Sequence, residues 1–234
     1  FVSGLIAANT DNGIGIAGMD WAASLLPVRA LAKCGGTEAD VYEGMLWASG
    51  VQIAGVPPNP SPARVINMSL AGYGSCSSAV QEAIDDALAQ GSVVVAAAGN
   101  AADDALNWSP ANCGGVITVG ASGNNGDRTG YSNYGARVDL SAPGGDGSDV
   151  SSLVLSTYAL GETTPGDPAY AIAAGTSFST PMVSGTVSLM IARNPLLTPG
   201  RVLSILTGTT RDFPVGTQCS AGSVCGSGLL DAGV

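Results

Sequence analysis

The chain of 234 residues contains no histidine. Neither imidazole acid–base chemistry nor a histidine-ligated metal can come from within it. Charge is scarce too: 11% of residues are charged, 18 acidic against 8 basic, for a formal net charge of −10. That balance argues against nucleic acid and anionic membrane as partners and is compatible with bound cations. Lysine occurs once, at Lys33. Long apolar runs are missing as well. The longest, such as Val93 to Ala98, are strand-length and far too short to cross a bilayer. Low charge together with 45% hydrophobic residues also excludes a disordered chain.

What is present is glycine, 34 residues of it, and short apolar segments in alternation. The pattern predicts tight turns around a largely apolar interior that one domain spanning 1–234 can bury. Leu25 to Leu31 reads as a strand, Ala39 to Ser49 as a helix, and Val65 to Leu70 as a strand. Cys76, Val80, Ile84 and Leu88 recur every four residues, giving an amphipathic helix that ends near Gly91. Val93–Ala98 and Val116–Ala121 are continuous β-rich runs of the kind buried on both faces, and Val138–Ala142 is a further short strand. Ser177–Arg193 is apolar nearly all round, hence a central buried helix. Thr198-Pro199 caps a last helix through Leu206. The fold class that follows is α/β: a doubly wound, mostly parallel sheet with helices on both faces. In such a sheet, sites lie beyond the carboxyl ends of the strands.

Gly175-Thr176-Ser177-Phe178-Ser179-Thr180-Pro181-Met182 is the most informative string. It reads as a small-residue turn, Ala171 to Gly175, running into a serine that opens the long helix, with Pro181 in the first turn. Two readings stand side by side. The hydroxyls of Thr176, Ser177 and Ser179 cap a buried helix, or Ser177 sits at the positive end of the dipole among unpaired N–H groups, where charge on a bound carbonyl oxygen would be stabilised. Asn100 closes a second string, Val93 to Asn100, at a strand's carboxyl end, where Gly99-Asn100 is either an ordinary turn or the site of a side-chain amide donor.

Both strings, in this order, resemble the subtilisin-like serine proteases, and the resemblance extends over essentially the whole chain. It implies Ser177 as nucleophile and Asn100 as oxyanion donor. It also implies Ser69, Leu70 and Ala71 as one wall of the pocket for the residue before the scissile bond, with Ala97, Ala98 and Gly99 as the other. Gly35, Gly36 and Thr37 match the edge along which an extended polypeptide substrate adds as a strand. Ser109-Pro110 falls where the family often has a cis proline. Asp103-Asp104 reads either as a bias of the pocket towards basic side chains or as a solvated acidic loop. In the loop after the first helix, Thr10, Asn12, Ile14 and Ile16 match a structural calcium site built from carbonyl and amide oxygens. No organic cofactor is implied.

Phe1 to Ala8 resembles the helix that follows the catalytic histidine of that family. The histidine, and the aspartate that orients it, would then lie in an N-terminal segment of the same precursor, a zymogen. The five cysteines are assigned accordingly. Cys219 and Cys225 flank a short Gly/Ser loop and form one local bridge. Cys76 pairs with Cys113, as in disulfide-bearing members. Cys34 is left over, as a buried free thiol or as a bridge to the N-terminal segment. Bridged cysteines place the protein outside the cytosol, secreted or periplasmic. The function expected is a serine endopeptidase whose isolated 234-residue chain is inactive for want of its base. The alternative is a catalytically dead peptide-binding protein on the same fold. A third reading makes Lys33 the base.

Overall fold

A run such as Val93 to Ala98 offers no polar face to solvent, so a strand made from it must be covered on both sides. That requirement organises the computed structural model, which describes residues 1–161 and 163–233. In chain order its elements are α1 (Val2–Ala7), α2 (Glu38–Ser49), β1 (Val65–Met68), β2 (Gly72–Tyr73), α3 (Ser78–Ala89), β3 (Val93–Ala97), β4 (Trp108–Ser109), β5 (Ile117–Ser122), β6 (Leu140–Pro143), β7 (Val154–Ala159), β8 (Pro168–Ala173), α4 (Thr176–Arg193) and α5 (Pro199–Gly208). The main sheet is parallel, in the order β1-β3-β5-β6. Every residue of β3 and β5 is buried.

Side chains alternate across the sheet, and the core divides the same way. Ile66, Met68, Val94 and Ala96 pack with Ile84 and Ala87 of α3 and Met45 and Ala48 of α2. Val93, Val95, Ile117, Val119 and Leu140 pack on the opposite face with Val183 and Val187 of α4 and Val202 and Leu206 of α5. Each fully buried Val, Leu or Ile of these clusters contributes roughly 1.5–3 kcal/mol. Helix ends carry the side chains their boundaries require. Thr37 and Asp40 form a reciprocal capping box on α2, Ser77 caps α3, and Thr198 caps α5 ahead of Pro199. The fold is α/β with helices on both faces of a mostly parallel sheet.

Four local expectations are corrected. Leu25–Leu31 is not a strand: the backbone of 23–31 makes no hydrogen bond among the described residues, and Leu25, Leu26, Val28 and Leu31 are exposed. A strand needs a ladder, and the space between this segment and β1 is open. Ala171–Gly175 is not a free turn, because Ala171 to Ala173 are the end of β8, paired antiparallel with β7. That hairpin, unexpected from the sequence, feeds directly into α4. Pro181 is the sixth residue of α4 rather than a first-turn residue, and so removes a helical hydrogen bond. Val138 lies just outside β6. The Ser109-Pro110 bond is cis.

Candidate active site

Parallel strands bring their carboxyl ends to one edge of a sheet. Met68 of β1 is level with Ala96 of β3. Ser69-Leu70-Ala71 and Ala97 to Asn100 therefore leave the sheet side by side. The N-terminus of α4 meets them there. Ser69 Oγ donates to the Ser177 carbonyl oxygen at 2.8 Å, and Ser177 Oγ donates to the Ser69 carbonyl oxygen at 3.1 Å. Asn100 Oδ1 accepts from both the N–H and the hydroxyl of Thr176, each at 2.9 Å. The Gly99 N–H closes the ring by donating to Thr176 Oγ1 at 3.3 Å. The structure thus brings together Ser177, Asn100, Ser69 and Gly99, from three separate chain segments.

Two donors at this junction have no acceptor among the described residues. One is the Ser177 backbone N–H, in the first turn of α4, where no preceding carbonyl reaches it. The other is Asn100 Nδ2. With Oδ1 held twice by Thr176, Nδ2 has its direction fixed and lies 3.7 Å from where a Cβ on Gly175 would stand. Both belong to a half-open surface, Ser177 being partly buried and Asn100 exposed. The loop behind Asn100 is itself held: buried Asn133 accepts from the N–H groups of Ala101 and Asp103 and donates to the Ala98 carbonyl. Gly99, at φ 104°, packs so closely on the Asn133 amide that no side chain fits. The parts taken by Thr176 and Asn133 were not visible in the sequence, since Thr at the start of a helix and Asn in a turn are ordinary residues there.

The acidic pair beyond Asn100 is tied up structurally. The Asp103 carboxylate accepts from the Trp108 indole, the Asn107 amide and the Asp104 N–H, and these bonds, the indole's first, hold it below the usual carboxylate range. Asp104 accepts from the Leu106 N–H.

The Gly35–Thr37 edge is less free than expected. Gly35 exchanges both backbone bonds with Ala32 around a tight turn, and the Thr37 N–H donates to Asp40. Only Gly36 keeps its backbone groups unpaired among the described residues. Lys33 sits exposed at the tip of that turn and has no hydrogen bond to Ser177. Its neighbour Cys34 is free and exposed rather than buried. The other four cysteines form the bridges Cys76–Cys113 and Cys219–Cys225.

Residues 10–17 line a shallow concavity. No carbonyl of this loop accepts a hydrogen bond among the described residues, and Asn12 Oδ1 accepts only from the Ile14 N–H at 3.0 Å. The carbonyls of Thr10, Ile14 and Ile16 with the Asn12 amide oxygen are hard, all-oxygen donors that fit part of a calcium shell, leaving about two to four of its six to eight places to other ligands.

Two further features bear on the site. The Phe1 ring lies 4.4 Å from the ring of Phe178, the residue after Ser177. A cavity of about 750 Å³ runs between the 23–30 segment and β1, walled by α2 on one side and by α1 and α4 on the other.

Comparison with known proteins agrees with this geometry. The profile of the subtilase family (peptidase S8) matches residues 1–224. An extracellular protease of Xanthomonas campestris pv. campestris is 45% identical over 99% of this chain, which corresponds to 38% of that protein. Subtilisin Savinase of Lederbergia lenta is 32% identical over 99% of this chain and 74% of its own. The solved structure of a protease from Pseudoalteromonas arctica superposes with a TM-score of 0.94 at 47% identity, covering 99% of this chain and 67% of that one. The chain thus spans little more than a third of the Xanthomonas protein. With a family profile over nearly its full length and the serine, the asparagine and the small-residue strand ends gathered at one edge of the sheet, this chain belongs to the subtilase family of serine proteases.

Proposed function

We propose that the chain is a portion of the catalytic domain of a secreted serine endopeptidase. Ser177 attacks the peptide carbonyl, the oxygen that becomes negative is received by the Ser177 N–H and Asn100 Nδ2, and the acyl-enzyme is released to water. The observation that carries this reading is the pair of fixed, unsatisfied donors beside one hydroxyl. Donors oriented in advance stabilise developing charge without reorganising. Small residues at Ser69–Ala71 and Ala97–Gly99 leave room for a large side chain before the scissile bond. At the 35–37 edge, only Gly36 is ready to pair with a substrate strand.

The base and its orienting carboxylate are assigned to an N-terminal segment of the same precursor. The contact of Phe1 with Phe178 is consistent with this, because it packs the start of α1 against the first turn of α4, which carries Ser177. The open cavity favours it too: an extended strand inserted there would pair with the free edge of β1 and give residues 25–31 the ladder they lack. Cys34, exposed and free, is available to bridge that segment. Calcium, when bound at residues 10–16, would stiffen the loop after α1. The extracellular protease of Xanthomonas and the two disulfides favour secretion.

The test is labelling by a fluorophosphonate. The chain alone should stay unlabelled, and the chain produced with its upstream sequence should be labelled at Ser177 and hydrolyse casein, both lost in Ser177→Ala. Failure of the longer protein to label or hydrolyse would favour the peptide-binding alternative, which the absence of histidine keeps in play.

A further inference from the structure

We propose that Asn67 is a positioning residue for Ser177, an inference that rests on the proteolytic reading above. Pro181 leaves the first turn of α4 short of a donor. A proline four residues after Ser177 has no N–H to give, so the Ser177 carbonyl lacks its helical donor. Ser69 Oγ supplies one from outside the helix, at 2.8 Å. A serine hydroxyl has a single proton. Having given it to Ser177, Ser69 Oγ can only accept from its other neighbour, and Asn67 Nδ2 donates to it at 2.9 Å. This fixes which way the Asn67 amide faces. Its oxygen must point the other way, where the hydroxyl of Ser184, 2% exposed, donates to it at 2.8 Å.

The result is a one-way chain of hydrogen bonds, Ser184 to Asn67 to Ser69 to the Ser177 carbonyl, joining β1 to two places on α4. Together with the reciprocal bond from Ser177 Oγ to the Ser69 carbonyl, it fixes the nucleophile against the strand end. Only a side chain that donates on one side and accepts on the other serves at position 67. An aspartate of the same shape draws the protons of both serines to itself and leaves the Ser177 carbonyl without a donor. Ser184 lies seven residues beyond Ser177 in α4, and its hydroxyl is linked to the Ser177 carbonyl through Asn67 and Ser69.

The experiment compares wild type, Asn67→Asp, Ser184→Ala and the double variant, each made with the upstream sequence. Hydrolysis of a peptide substrate is measured per active site titrated with a fluorophosphonate, so that misfolded protein is not counted. Asn67→Asp should lower kcat about tenfold, the worth of one well-placed hydrogen bond, with KM unchanged. Ser184→Ala should lower it less, about threefold, and the two effects should not multiply in the double variant, because they act on one chain. If Asn67→Asp fails to fold, Ser184→Ala carries the test. Unchanged kcat per titrated site, even with a lowered melting temperature, would overturn the inference and leave the protease reading standing. A wild type that neither labels nor hydrolyses would remove both.

Discussion

Thr176→Val changes almost nothing in shape and removes one hydroxyl, fully buried at the centre of the site. Two interactions go with it. The first is the bond to Asn100 Oδ1, which keeps its second partner, the Thr176 N–H, and whose owner is exposed. Its loss should cost about 0.5–1 kcal/mol. The second is the acceptor for the buried Gly99 N–H, which has no other. An orphaned buried donor costs roughly 1–3 kcal/mol, and the long 3.3 Å bond argues for the lower end. The sum is about 2 kcal/mol, which for a domain of this size lowers the melting temperature by about 4–8 °C. Calorimetry at neutral pH measures it, and a cycle with Asn100→Ala apportions it. In the Asn100→Ala background the same substitution should cost only the Gly99 share, roughly half. A fall below about 1 °C, or equal falls in the two backgrounds, would refute the claim that one hydroxyl orients the amide and satisfies the strand end together.

Removing the Cys76–Cys113 bridge, which closes a separation of 37 residues, should cost about 4 kcal/mol by loop entropy, against about 2 for Cys219–Cys225 with its separation of 6. Urea midpoints of the two double-alanine variants check the order, and a larger loss at the C-terminal bridge would contradict it. Burial pushes the Asp139 carboxyl above its ordinary range, opposed by the bond it accepts from the Thr118 N–H and by nearby Arg137. The folded state then holds this proton more tightly than the unfolded one, so the contribution is present at low pH and lost as pH rises through the raised pKa. Asn at 139 has no such dependence. Stability of Asp139→Asn relative to wild type should therefore climb from about pH 4 upward, and a flat difference in urea midpoints would exclude it. Calcium at about a hundredfold its dissociation constant should stabilise the protein by about 2.7 kcal/mol. Asn12→Ala should shrink that shift, and identical shifts in both proteins would rule out the 10–16 loop.

The sequence made legible those elements whose signal is local. β3 is one unbroken apolar run, α3 shows its four-residue period, and the caps at Thr198 and the bridge at Cys219–Cys225 need only neighbours. Elements whose stability comes from distant partners were not legible in the same way. Leu25–Leu31 has the composition of a strand, but composition supplies no ladder, and no described residue pairs with it. The β7–β8 hairpin was obscured because Ala171 and Ala173 look like turn filler until Ser156 and Val154 are seen opposite them. At the site, Ser177 and Asn100 were recognisable from their strings, whereas Thr176 and Asn67 act through bonds to residues 76 positions and more away. No spacing within a string encodes such a bond.

The open border of β1 has a consequence for handling the protein. A short apolar strand whose outward N–H and C=O groups face an oily trough will take up any extended segment that reaches it, including one from a neighbouring molecule. Prepared alone at high concentration, the chain should associate edge to edge, and the association should cease when the trough is filled.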